Sequence, residues 1–97
     1  MFADLVYETL RKVPKGKVTT YSALARAIGK PRAARAVGNA LNKNPYAPEV
    51  PCHRVVLSSG KVGKFAHGTK QKMKLLEAEG ITIEKGIVPK RFILTRL

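Results

Sequence analysis

Cysteine and acidic residues are scarce in this chain of 97 residues, and it has no long apolar run. The one cysteine excludes an internal disulfide, which is the usual situation in a reducing cytoplasm. No stretch approaches the roughly 18–20 apolar residues that a membrane span needs. The first residues lack the charged, apolar and small-residue zones of a secretory signal, so export is not expected and we place the protein in the cytoplasm.

The shortage of acidic residues makes the chain strongly basic. Nineteen Lys and Arg residues stand against six Asp and Glu, which gives a formal net charge of +13. A lysine-rich solvated surface would account for this charge. The binding of a polyanion would also account for it, with nucleic acid as the first candidate and an anionic membrane as the second, and of these we expect nucleic acid and no membrane partner. Because the charge is spread along the chain, a disordered basic tail is not expected.

The length and the apolar spacing predict one mainly α domain with a modest core. Residues 2–12 carry apolar side chains at the i, i+3, i+4 spacing of an amphipathic helix. Thr20 or Ser22 can begin a second helix, which Gly29 can end. Pro31 then suits the first turn of a third helix. Two short helices in this order predict a winged-helix-like helix-turn-helix domain.

The second half of the chain has a less regular pattern. Residues 55–68 predict a small β-hairpin or a loop packed beside the cysteine. Residues 69–79 predict a helix that Thr69 caps and Gly80 ends. The apolar cluster near the end of the chain is expected to pack back, so that residues 1–97 form a single domain.

The third predicted helix has an unusual outer face, on which large polar side chains recur at three- and four-residue steps between residues of almost no bulk. An ordinary solvated face would account for this pattern. A helix trimmed in this way can also lie against a nucleic-acid backbone, where arginine reaches phosphates, base edges or the base stack. The polar set is Arg32, Arg35, Asn39 and Asn42, and the small set is Ala33, Ala34, Ala36 and Gly38. On this second interpretation, contacts to nucleic acid are expected from Arg32, Ala34, Arg35, Gly38 and Asn39.

Cys52 is the residue whose chemistry needs an explanation. A lone cysteine is most often a small buried hydrophobe, and that interpretation stays open. Three features favour a nucleophile instead: Cys52 follows Pro51 at the end of a stiff loop, His53 and Arg54 come directly after it, and the chain is basic. Positive surroundings favour the thiolate, which is the reactive form of the side chain.

A histidine next in sequence to a cysteine can assist it only indirectly. Neighbouring side chains diverge along a strand or a helix, so a bridging water suits His53 and Cys52 better than direct contact. Such a histidine also needs an acid to orient it, and Glu79 is a candidate, although a surface glutamate remains an alternative. No metal site is expected, because Cys52, His53 and His67 are too few and the first two are adjacent.

The motifs "TTYSALARAIGKPRAARAVGNALNKNP", "PCHRVV", "SSGKVGKFAHG" and "KLLEAEG" occur in this order. Together they closely resemble the DNA-binding, active-site domain of the O6-alkylguanine-DNA alkyltransferases, the methylated-DNA–protein-cysteine methyltransferases. The resemblance extends from about Phe2 to about Gly80. It implies direct repair in the DNA minor groove, where an extruded guanine passes its O6 alkyl group to cysteine in one irreversible turnover. It implies no cofactor, and the protein is expected to act as a monomer.

The resemblance also implies roles for the residues that match its motifs. Cys52 would accept the alkyl group, and His53 would act as a base through water, oriented by Glu79. Tyr21 would hydrogen-bond or protonate the extruded guanine, and Arg35 would fill the gap in the base stack.

Further residues are implied to support the site. Asn44 would brace the turn before the cysteine loop, and Arg54 would form a structural ion pair. The backbone around Val55, Gly63 and Ala66 would line the guanine pocket, and Phe65 would give it an aromatic wall.

The chain departs from the family pattern at residues 64–66. The family commonly has Gly-Tyr and a small hydroxyl residue there, where this chain has Lys-Phe-Ala. Ala66 therefore lacks a hydroxyl for O6, which bears on rate and alkyl size. A second interpretation follows from the non-catalytic alkyltransferase-like proteins, which bind O6-alkylguanine without repairing it but lack the cysteine. A small transcriptional regulator is a more distant alternative.

Overall fold

The computed structural model describes residues 2–46, 49–63 and 68–97. Within these ranges the α-helices are α1 (Phe2–Leu10), α2 (Tyr21–Ala27), α3 (Ala34–Asn42) and α4 (Thr69–Ala78), and the strands are β1 (Val18–Thr20), β2 (Val55–Val56) and β3 (Ile93–Leu94). Single 3-10 turns lie at Cys52–Arg54 and Lys90–Phe92. The expected mainly α domain with a helix-turn-helix is confirmed. None of the helices in the described ranges combines the length and apolarity that a membrane crossing requires.

The three strands form one parallel sheet in the order β2-β1-β3. Thr19 of β1 pairs with Val55 on one side and with Leu94 on the other, and its hydroxyl donates to the Leu94 carbonyl at 2.8 Å. β1 runs directly into α2 at Tyr21, while the cysteine turn runs directly into β2. The register therefore places the start of α2 beside the chain that follows Cys52.

The sheet lies between two apolar cores, since successive strand residues face opposite sides. Val55 belongs to the core that α1, α2 and α3 enclose, whose fully buried members include Val6, Leu10, Leu24 and Val37. Val56 belongs to the second core, which contains Val18, Leu76, Ile81 and Val88. The second core joins α4 to the end of the chain, so the expectation that the tail packs back on the domain is confirmed.

The helix-turn-helix forms as predicted at one end and differs at the other. The Thr20 hydroxyl accepts from the Ala23 amide at 3.0 Å and caps α2, and Gly29 is left-handed with φ +78°. Pro31 does not lie in the first turn of α3, because the Ala33 amide bonds the Lys30 carbonyl at 2.9 Å. Pro31 is thus the second residue of a turn, where its restricted φ is favoured, and α3 begins at Ala34.

Other boundaries moved by one or two residues. α1 ends at Leu10, two residues short of the prediction, and the residue preceding α4 is Gly68, so Thr69 is the first helical residue and not its cap. Gly80 ends α4 with φ +90° as expected. For residues 55–68 the described part is a parallel strand followed by a loop, and residues 64–67 lie outside the described ranges.

Candidate active site and nucleic-acid interface

Cys52 begins the 3-10 turn that precedes β2, and its thiol is free and half-buried. The Cys52 amide donates to the Val50 carbonyl at 2.9 Å, and the Arg54 amide donates to the Pro51 carbonyl at 2.8 Å. A turn with three residues per revolution points successive side chains in different directions. Cys52 and His53 therefore diverge, in line with the expectation that any coupling between them passes through water.

His53 is buried and bonds Glu79, which stands 26 positions further along the chain. Its Nε2 lies 3.0 Å from Glu79 Oε2. Because an ionised carboxylate can only accept, Nε2 carries the proton in this contact. In a neutral imidazole Nδ1 is then the acceptor, so the ring is set up to take a proton at Nδ1.

Arg54 holds the same carboxylate from a second direction. Its Nε donates to Glu79 Oε1 at 2.9 Å and its Nη2 donates to Oε2 at 2.7 Å, a bidentate pair. Its Nη1 donates to the Val13 carbonyl at 3.0 Å. Arg54 therefore ties together the end of α4, the cysteine turn and the loop after α1.

Glu79 is a largely buried carboxylate and not a surface glutamate. Burial raises its pKa, but the hydrogen bonds from Arg54 and His53 outweigh burial and hold the pKa of the carboxyl below its usual value. Glu79 thus stays ionised at neutral pH. The sequence position that looked unfavourable, at the negative end of a helix, is compensated by two partners from another segment.

Asn44 closes the connection between α3 and the cysteine turn. Its Nδ2 donates to the Val50 carbonyl at 2.9 Å, and its Oδ1 accepts from the Tyr46 amide at 2.9 Å. Val50 also accepts from Cys52, so the amide of Asn44 fixes the segment on which the cysteine is carried.

A cleft of about 540 Å³ lies between α3 and the chain that follows β2. Its lining comprises Tyr21, Ala34, Arg35, Gly38, Asn39, Asn42, Leu57 and Gly63. A methyl group added at Gly38 would stand 3.8 Å from the Tyr21 ring, an ordinary contact. The missing side chain at this position therefore leaves room for a molecule entering the cleft and is not required by Tyr21.

Tyr21 lines this cleft and also interacts electrostatically with Cys52. Burial raises its pKa, and the negative charge that Cys52 carries as a thiolate raises it further. Tyr21 is therefore a protonated hydrogen-bond donor at neutral pH, on the cleft surface and within electrostatic reach of the sulfur.

The predicted residues divide into two groups in space. His53, Arg54 and Glu79 come together beside Cys52, while Tyr21 joins the polar face of α3. Arg32 is exposed but does not line the cleft. The Val55 side chain lies in the core. Phe65 and Ala66 lie outside the described residues.

Sequence reasoning missed Lys72, which has no exposed surface. Its Nζ donates to the Val55 carbonyl at 2.6 Å. Burial lowers the pKa of Lys72 to about 8, against the opposing effect of the Cys52 negative charge. The available signal was its place one helical turn before the buried Leu76, on the same face of α4.

Fold and site together define a class: a helix-turn-helix domain that has a free cysteine next in sequence to a buried histidine–carboxylate pair, and a cleft along α3, the second helix of the motif. The particular family follows from sequence. The profile of the family described as "6-O-methylguanine DNA methyltransferase, DNA binding domain" matches residues 1–81, and the chain belongs to this family.

Individual relatives agree with this assignment. The methylated-DNA–protein-cysteine methyltransferase of Methanosarcina acetivorans is 46% identical over 79 residues, which cover 81% of this chain and 51% of that protein. The chain thus spans about half the length of this curated relative.

Two solved structures share the fold. Mycobacterium tuberculosis OGT in complex with DNA has a TM-score of 0.78 and 45% identity, covering 80% of this chain and 48% of that one. S. pombe Atl1, in complex with damaged DNA containing O6-carboxymethylguanine, has a TM-score of 0.84 and 32% identity, covering 96% of this chain and 94% of that one.

Proposed function

We propose that this chain carries out direct DNA repair by moving an alkyl group from guanine O6 to the sulfur of Cys52. The observation that carries the proposal is the free, half-buried thiol beside a buried His53–Glu79 pair, in a domain of the 6-O-methylguanine DNA methyltransferase family. The S–C bond forms as the C–O6 bond breaks, the thiol proton leaves through His53, and the departing guanine gains a proton. Because a thioether is a poor leaving group, each protein molecule reacts once.

The buried pair supports a water-mediated proton transfer. Glu79 occupies Nε2 of His53, which leaves Nδ1 to accept a proton from a water that in turn contacts the thiol. Glu79 also stabilises the imidazolium that results. Arg54 keeps the carboxylate in place throughout, so its role is positioning.

The cleft supports a role in holding the base outside the duplex. The base must leave the stack before its O6 can be reached, at a cost of a few kcal/mol. The exposed Arg35 can fill the gap in the stack, and the small residues of α3 permit a close approach to the minor groove. Tyr21, protonated at neutral pH, can donate to the extruded guanine as charge develops on it.

The test is the mass of the peptide that contains Cys52 after the protein meets a duplex with one O6-methylguanine. We expect one added methyl group per protein molecule and an unmodified guanine left in the DNA. Cys52→Ala should abolish the transfer and retain most of the binding. A duplex that binds tightly while Cys52 stays unmodified would refute alkyl transfer.

A lesion-binding protein without transfer is the second candidate. The observation that favours it is the match with Atl1, whose length this chain almost fully covers and whose structure contains a damaged duplex. The same experiment separates the two candidates, because a pure binder leaves both the lesion and Cys52 unchanged. In both cases we propose a monomer that binds the minor groove of DNA containing O6-alkylguanine.

A further inference from the structure

Residues 82–97, here called the tail, lie beyond the family match that ends at residue 81. They are nevertheless part of the fold. β3 in the tail pairs with β1, Val88 is buried in the second core, and Leu94 and Leu97 pack against the first core. The tail is therefore an integral element whose role the family match does not explain.

The tail holds the segment that forms one side of the cleft. This segment, residues 57–63, is here called the wall, because Leu57 and Gly63 line the cleft opposite α3. The Val62 amide donates to the Gly86 carbonyl at 3.0 Å, and the Val88 amide donates to the Gly60 carbonyl at 2.8 Å. Between these bonds Lys61 and Ile87 form an antiparallel bridge. The wall thus stands between the cleft and the tail.

The part of the tail that contacts the wall is itself a tight turn. Glu84 and Ile87 exchange two backbone hydrogen bonds, at 3.0 and 2.9 Å. Lys85 and Gly86 between them have φ values of 54° and 76°. Two left-handed residues inside such a pair are typical of a type I′ hairpin turn, which is well defined. The wall therefore rests on a rigid support.

The two segments approach each other closely at Gly60. This residue is buried with φ +90°, and a Cβ added there would stand 2.8 Å from the Val88 carbonyl oxygen and 3.1 Å from Ile87 Cγ2. The nearest atom belongs to the backbone, so it cannot rotate away. Any side chain at position 60 must push the wall and the tail apart.

The side-chain hydrogen bonds of the wall to other described segments are weaker than these backbone bonds. The Ser58 hydroxyl reaches the Ser22 hydroxyl at 3.4 Å, and the Thr69 hydroxyl reaches the Gly63 carbonyl at 3.5 Å, both at the long limit for a hydrogen bond. The Leu57 amide bonds Lys61 inside the wall itself. The wall is also held by β2, which precedes it, and by the buried Val62 side chain, but its strong backbone hydrogen bonds to another segment, among the described residues, all go to the tail.

We infer that the tail is a positioning element that sets the distance between the wall and α3, and so decides which alkyl groups reach Cys52. The inference rests on the proposed alkyl transfer. Reacting atoms must be placed within about 3–3.5 Å, and a misplacement of roughly 1 Å can cost on the order of 100-fold in rate. A displaced wall penalises a methyl group, which needs the closest fit, more than a larger group that can fill added space.

The test compares Gly60→Ala with Gly80→Ala. Both glycines have φ +90°, but a Cβ at Gly80 meets nothing within 4 Å, so this variant carries the backbone strain without the collision. Single-turnover transfer is measured on two duplexes that differ only in an O6-methyl or an O6-benzyl group. Gly60→Ala should slow methyl transfer about tenfold and raise the benzyl-to-methyl rate ratio about threefold or more. Gly80→Ala should keep the wild-type ratio.

Circular dichroism and binding of undamaged duplex show whether each variant is folded with α3 intact. A folded Gly60→Ala protein with an unchanged rate ratio would overturn the inference, as would equal losses on both substrates. If Gly60→Ala does not fold, Ile87→Ala, at an exposed residue, takes its place with a smaller expected shift, and an unchanged ratio again overturns it. If the wild type transfers no alkyl group, the proposed function fails. In that case the role of the tail is tested by binding. Gly60→Ala should raise the affinity for the O6-benzyl duplex relative to the O6-methyl duplex, and Gly80→Ala should not.

Discussion

Two arginines of this molecule, Arg35 on α3 and Arg54 in the cysteine turn, are placed in opposite ways. Arg35 is exposed at the cleft, whereas Arg54 is largely buried and gives Glu79 two hydrogen bonds. An exposed cation is free to meet a polyanion that arrives from solution. A buried pair cannot be separated without leaving a charge uncompensated. The same type of side chain is thus open to an incoming polyanion in one region and fixed by the fold in the other.

We expect the largest effect on stability from a substitution that breaks the buried pair of Glu79 and Arg54. Glu79→Ala leaves Arg54 without its carboxylate and should lower the free energy of unfolding by about 3–5 kcal/mol. Urea unfolding measures this loss. Glu77→Ala, at an exposed residue on the same helix, is the matched control and should stay within about 0.5 kcal/mol of wild type. Equal losses in the two variants would contradict the structural role of the pair.

The pH dependence of stability provides a second readout of the pair. Since the pKa of Glu79 is lower in the folded protein, its contribution to stability is present above the ordinary carboxyl pKa of 4.5 and is lost as the pH falls through the folded pKa. Glu79→Gln should therefore flatten the acid side of the stability profile. An unchanged acid profile would contradict a depressed pKa.

A second prediction concerns Lys72, whose charged side chain is fully buried, in contrast to the exposed Arg35. The pKa of Lys72 falls from 10.5 to about 8 on folding, so between these values the unfolded chain binds more protons than the folded one. Stability from this group should rise with pH across that window, by on the order of 3 kcal/mol.

Lys72→Met should lack this rise. The urea midpoints of wild type and variant at pH 8 and pH 10 measure the difference, in which the other titrating groups largely cancel. Lys74→Met, at an exposed position of the same helix, should behave as wild type. A rise of equal size in the wild type and in Lys72→Met would exclude Lys72 as its source.

The smallest effect on stability, and a distinct effect on DNA, is expected from Arg35→Ala. Stability should change by no more than about 0.5 kcal/mol, because the side chain is exposed. Extrusion of the damaged base, followed by the fluorescence of a neighbouring 2-aminopurine, should fall by about tenfold, because about 1.4 kcal/mol of the unstacking cost would no longer be offset.

Arg32→Ala removes the same charge from the same region outside the cleft. It should weaken overall binding, with a reduced salt dependence, and leave extrusion of the bound lesion unchanged. Equal loss of extrusion in the two variants would show that Arg35 contributes charge alone.

Local features of the fold could be predicted because they depend on near neighbours. The Thr20 cap, the left-handed Gly29 and the buried stripes of α1 and α3 all follow from residues within one or two turns. Pro31 was misplaced because a proline suits both a helix start and a turn, and the hydrogen bond from Ala33 to Lys30 decided between them. The propensity of proline alone does not distinguish a helix start from a turn.

In the candidate site, too, some residues could be predicted from the sequence and others depend on packing between distant segments. Motif order and residue type identified Cys52, His53 and Glu79, but not Lys72, whose partner carbonyl lies 17 positions away at Val55. A lysine in a basic helix gives little sign of burial, because most lysines are exposed. Its environment results from the packing of α4 on β2.

By itself the sequence determined the helices, the trimmed polar face of α3 and the family, since periodicity and motif order are properties of neighbouring residues. Only the tertiary structure decided that β1 pairs with strands on both sides, that the carboxylate of Glu79 binds Arg54 as well as His53, and that the tail bonds the wall. Each of these contacts joins segments about 25 or more positions apart. Their energies depend on burial and on mutual hydrogen bonding, which exist only once the whole chain has packed.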